Sequence, residues 1–231
     1  MQAGVMAWVH GEFDELSSQN SVHTQDGMEF SQSLQIERTT YLEDGRPVFH
    51  GRAAIEVIEE YEQGHIDDET GAIETMTRGE RKCKSTHFLV IPDTLMVVES
   101  GDGDFAFELI RDALPGVRVR RATIDLNEFA ERYYRSEGVD PWQVGFFGNS
   151  GQAEKGVVYG EDVFDDTEIG ELLSSCQLNQ LGLRYEVDGV SMKVTIARSG
   201  YVEVYLPTGL DGNEFAQYLC DELDEFVVKS E

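Results

Sequence analysis

Residues 183–206, LRYEVDGVSMKVTIARSGYVEVYL, carry the pattern that decides the fold. Apolar and polar side chains alternate over 183–187, 190–197 and 201–206, the period-two signature of strands with one buried face. The dipeptides Asp188-Gly189 and Ser199-Gly200 separate these runs, and such pairs close tight antiparallel turns because glycine takes a positive φ without steric cost. The reading is a three-stranded meander. Helical spacing flanks it on both sides. Upstream, Ile169, Leu172, Leu173 and Cys176 follow Thr167. Downstream, Asp211 with Glu214 three residues on is a capping-box signature ahead of Phe215, Leu219, Leu223, Phe226 and Val227.

Earlier in the chain, Ala54, Val57, Ile58 and Tyr61 share a helical face and leave Glu56, Glu59, Glu60 and Glu62 for solvent, which predicts a helix. Ala106, Leu109, Ile110 and Ala113 predict a second, starting near Asp104 and stopping before Pro115-Gly116. Asp125 and Glu128 cap a third, with Leu126, Phe129, Ala130 and Tyr133 on its apolar face. Strands are expected over 34–42 and 47–51, flanking Asp44-Gly45 with both turn residues at positive φ. The nearly continuous apolar runs 86–91 and 95–98 fit central strands covered on both faces.

Helix, three strands, helix over 167–228, with a looser version over 53–114, makes the predicted class α+β. The expected architecture is two small modules, each an antiparallel strand meander packed with helices on one face. The N-terminal α+β module takes residues 1–135 and the C-terminal α-β-β-β-α module residues 157–231. A linker or long loop at 136–156 is marked by Pro141 and five glycines. Within it Trp142, Phe146 and Phe147 predict a packed strand. The meander leaves a strand edge for which a homodimer is the expected cover.

Asp and Glu number 45 against 18 Lys and Arg, a net charge of -27 over 231 residues, and the basic residues divide into 13 Arg and 5 Lys. A hydrophobic share of 40%, with acids spread along the whole chain, excludes a disordered acidic tail. The composition resembles that of cytoplasmic proteins of salt-accumulating haloarchaea. That resemblance covers the full length and implies a folded cytoplasmic protein working in molar salt, where charges are screened within roughly 3 Å; it specifies no activity. No apolar run approaches the roughly 20 residues of a spanning helix, and residues 1–10 lack the basic start of a signal peptide, so no membrane is expected. Cys83, Cys176 and Cys220 are odd in number and far apart, which fits reduced thiols.

A functional surface is sought where the acid rule fails. Residues 1–77 carry a net -13 and residues 122–231 a net -15, whereas residues 78–121 hold eight basic and seven acidic residues. The basic ones, Arg78, Arg81, Lys82, Lys84, Arg111, Arg118, Arg120 and Arg121, are the candidate anion- or partner-binding residues. With Val117 and Val119 inward, Arg118 and Arg120 share a strand face as a guanidinium ledge suited to phosphate or carboxylate. The competing reading pairs these cations with the chain's own carboxylates. In element order, strands over 88–98, a helix to Leu114 and a basic strand at Arg118–Arg121 are similar to ring-forming recombination-associated DNA-binding proteins; no residue role follows.

The functional expectation is a salt-adapted, non-enzymatic binding or regulatory protein contacting nucleic acid or an acidic protein partner through this basic segment, with no cofactor and no metal. The alternative is a metal-dependent nuclease or related hydrolase, for which Asp67, Asp68, Glu80 and Lys82 supply carboxylates and a neighbouring lysine. Weaker patterns have plainer readings. Gly101-Asp102-Gly103-Asp104 does not continue as a calcium loop. Cys83 and His87 lack a second zinc pair.

Overall fold

The meander forms, but as part of something larger. A computed structural model of the chain describes residues 1–66, 68, 70–99, 101–134, 139–150, 153–160, 176–187 and 189–229. Its strands are β1 (Ala3–His10), β2 (Gln19–Gln25), β3 (Met28–Tyr41), β4 (Pro47–Ile66), β5 (Ile73–Ile91), β6 (Leu95–Val98), β7 (Arg118–Arg121), β8 (Asp140–Ser150), β9 (Ala153–Tyr159), β10 (Gln177–Val187), β11 (Val190–Ala197) and β12 (Tyr201–Leu206). They make one sheet in the order β2-β3-β4-β5-β6-β1-β12-β11-β10-β8-β9, with β7 also on β1. Every pairing is antiparallel.

The predicted class, α+β in two modules with helices on one face, is therefore corrected. Strand accounts for 59% of the described residues and helix for 17%, in a single sheet. The seam is β1, which pairs β6 along one edge and, along the other, β12 and then β7. An N-terminal strand thus joins the meander to the first half of the chain. Both edges expected to flank the meander are occupied, β12 by β1 and β10 by β8.

The helix expected from Ala54 to Glu62 is also corrected, since these residues belong to β4, a 20-residue strand paired along its whole length with β5. Beyond Ala54 none of its side chains is fully buried, so no apolar stripe imposes period two on the sequence. Its backbone pairing with β5 holds the strand, and cross-strand charge pairs line its surface. Glu56 meets Arg81 at 2.5 Å, and Glu59 meets Lys82 at 2.9 Å and Lys84 at 3.0 Å. In water each such exposed pair is worth about 0–1 kcal/mol.

The other described helices form where they are expected, except that the last stops at Glu222, with Phe226 in a separate 3-10 turn and Val227 after it. These helices are α1 (Phe105–Ala113), α2 (Leu126–Tyr134) and α3 (Gly212–Glu222). Asp125 accepts from the amides of Asn127 and Glu128, and Asp211 with Glu214 completes a capping box. The helix expected from Thr167 lies, apart from Cys176, outside the described residues. The strand expected at Trp142 is β8. Around Asp44-Gly45 only glycine has positive φ, because the turn closes from the Leu42 amide to the Arg46 carbonyl.

Central strands are buried on both faces, as their continuous apolar runs predict. Val5, Ala7, Val9, Phe88, Val90, Met96 and Val98 pack against α1 in one layer. Met6, Leu89, Ile91, Leu95 and Val97 face the other way, into a core shared with α2, α3 and the meander. Helices thus cover both faces rather than one. No helix among the described residues is long and apolar enough to cross a membrane.

Candidate anion-binding site

The eight basic residues of 78–121 fall on three elements. Arg78, Arg81, Lys82 and Lys84 stand on the outer part of β5, where Arg81 also lies 5.0 Å from the centre of the Phe30 ring. Arg111 on α1 sits 3.6 Å from Asp112. On β7, Arg121 reaches Asp104 at 2.7 Å and the Ser199 carbonyl at 3.1 Å. For Arg81, Lys82, Lys84, Arg111 and Arg121 the chain's own carboxylates are the partners, which is the competing reading of the sequence.

Arg118 and Arg120 share one face of β7, and Arg120 also has an interaction within the chain. Val117 and Val119 are 7% and 8% exposed, so the alternation of β7 turns both arginines outward. Their strand pairs β1 with Arg120 opposite Trp8 and Arg118 opposite His10. Opposed residues of an antiparallel pair project from the same face with Cβ atoms about 5 Å apart. The two rings themselves stack, 5.3 Å between centres and 13° between planes. His10 Nδ1 lies 3.1 Å from Asp93 Oδ1, which also accepts the Gly11 amide and so fixes the end of β1.

The outcome is a four-residue face of two guanidinium groups beside a stacked indole and imidazole. Arg118 and Arg120 were legible from alternation. Trp8 and His10 were not, being more than a hundred residues away; their only signal is alternate placement within the apolar run of residues 3–10.

The residues named for a nuclease do not converge. Asp68 lies in the turn between β4 and β5, and Asp67 lies outside the described residues. Glu80 faces Glu59, seven rungs below the Ile66–Ile73 pair at the hairpin tip, about 23 Å along the strand. Lys82, 3.8 Å from Glu80, is engaged by Glu59. Among the described residues no cluster of three His, Cys, Asp or Glu has metal-binding spacing. Cys83 is exposed and His87 pairs with Glu99 at 2.7 Å.

A second polar cluster lines a cleft of about 410 Å³ that includes Glu37, Arg38, His50, His87 and Glu99. His50 is its buried member. The Asn213 amide donates to the Tyr41 carbonyl, so its oxygen accepts the Thr40 hydroxyl proton, and Thr40 in turn accepts from His50 Nε2 at 2.8 Å. His50 Nδ1 then faces Gly212 at the start of α3, where a Cβ would come within 3.1 Å of it. Burial, aided by nearby Arg38, pushes the His50 pKa down to about 4, against an opposing pull from Asp211. A neutral imidazole that ties β3, β4 and α3 together is thereby a structural joint. No protein-family model matches the chain, and no curated protein matches it.

Proposed function

We propose that the protein is a salt-adapted, non-enzymatic binding protein that grips a single strand of nucleic acid at the Arg118–Arg120 ledge. The observation that supports this reading is the register of β1 against β7, which sets two guanidinium groups directly across from a stacked Trp-His pair. Guanidinium forks fit phosphate oxygens bidentately, and an indole offers a base a π-face; together they are the two elements of single-strand recognition.

The global charge of -27 opposes such a partner in dilute buffer. In molar salt that repulsion is screened within roughly 3 Å, and only groups in contact count. Two phosphate contacts also release few counterions, so affinity falls with salt at a slope of only about -1.4 on a log–log plot.

Fluorescence anisotropy of a labelled single-stranded oligonucleotide in molar KCl tests the proposal. Wild-type protein should bind saturably, and Arg118→Ala with Arg120→Ala should lose about tenfold or more in affinity. Equal affinity of the double variant removes the ledge from the account.

A further inference from the structure

The sheet has an open edge in its interior. β5 pairs β4 from Ile73 to Ile91, but β6 covers its other edge only from Phe88 to Ile91. Among the described residues no strand pairs that edge over 73–85. Thirteen residues of extended backbone therefore offer unpaired amides and carbonyls, the template on which another strand adds. The adjoining stretch of β4 is guarded. Side chains of His23 and Gln25 bond its backbone at Glu56 and Ile58, and further out it carries Glu60 and Glu62 with no lysine or arginine.

We infer that this edge of β5 joins the same edge of a second copy of the chain, antiparallel about a two-fold axis at Gly79. The charge sequence selects both the occupant and the register. A two-fold axis normal to a sheet requires one residue to face its own copy, because any other register sends paired side chains to opposite faces. With Gly79 on the axis, Glu74 faces Lys84 and Arg78 faces Glu80 of the second copy, each twice, while Thr77 faces Arg81 and Met76 faces Lys82. No like charges are opposed. Shifting the axis to Arg78 or Glu80 opposes that residue to itself, and an axis at Thr77 sets Glu74 against Glu80. The register at Gly79 alone gives both acids of this stretch a cation.

Lysines and arginines on an edge strand ordinarily keep other strands away. Here the alternating acids cancel that guard for one partner only, an identical strand. Exposed Ile73 and Met76, 80% and 37% accessible, flank the ladder and lose water on pairing.

The same register sets Thr75 opposite the exposed native Cys83 of the second copy. Directly opposed residues have Cα atoms about 4.5–5.5 Å apart, within disulfide range. Within one chain the two lie eight residues apart on one strand, about 26 Å, so a bond between them must join two copies. Thr75→Cys under mild oxidation should therefore give a covalent species of twice 25.9 kDa. It should disappear when Cys83→Ser is added. In sedimentation, wild type should be a dimer, Lys84→Glu should weaken it roughly tenfold, and adding Glu74→Lys should restore it. A wild-type monomer at all concentrations overturns the inference, as does a dimer that Thr75→Cys does not cross-link through Cys83 or that the charge swap does not rescue.

Discussion

His50 shows what a single residue contributes. It is 7% exposed, and its pKa is depressed to about 4, first by burial and then by Arg38. The unfolded chain, with an ordinary histidine near 6.5, takes up the proton first. The stability that neutral His50 confers is complete above roughly pH 6.5 and is lost as the pH falls toward 4. The difference amounts to roughly 3 kcal/mol. His50→Gln keeps an N–H for Thr40 and removes the titration. Denaturant unfolding from near neutral pH down to about 4 should cost wild type roughly 3 kcal/mol more than the variant; parallel profiles would show that His50 is not the titrating joint. None of this was visible in the sequence, where His50 is one of five scattered histidines.

At the scale of elements, what could be read depended on whether a local rule decided the outcome. Asp211 and Glu214 stand at the capping-box spacing and form one, with the Asp211 carboxylate accepting two amides and Glu214 returning to the Asp211 amide at 2.8 Å. Asp211→Ala should therefore cost about 1 kcal/mol of thermal stability, whereas Asp211→Asn should cost a few tenths; equal losses would mean that charge, not capping, matters. The meander was legible for a similar reason, because its turn glycines Gly189 and Gly200 have the positive φ that the dipeptides imply. β4 was misread because its outer half has no fully buried face. Its glutamates at helical spacing are in fact the cross-strand partners of Arg81, Lys82 and Lys84, the cations that drew notice as a patch. One cross-strand pairing accounts for both the false helix and three of the eight basic residues of 78–121.

For the whole molecule, the decisive strand is β1, and its partners β6, β7 and β12 lie from about 90 to 200 residues away. That is why two modules were expected and one sheet is found. It is also why half of the ledge was hidden, since β1 carries Trp8 and His10 to the arginines of β7. In a chain at net -27, this pairing sets two arginines beside a stacked indole and imidazole. The direct test uses Trp8 as its own reporter. Trp142→Phe leaves Trp8 the sole tryptophan of the chain's two. Titrating this variant with a single-stranded oligonucleotide in molar KCl should quench the emission saturably, at the concentrations where anisotropy reports binding, and Arg118→Ala with Arg120→Ala should abolish the response. Binding that leaves Trp8 emission unchanged, or no binding at all, would contradict the account.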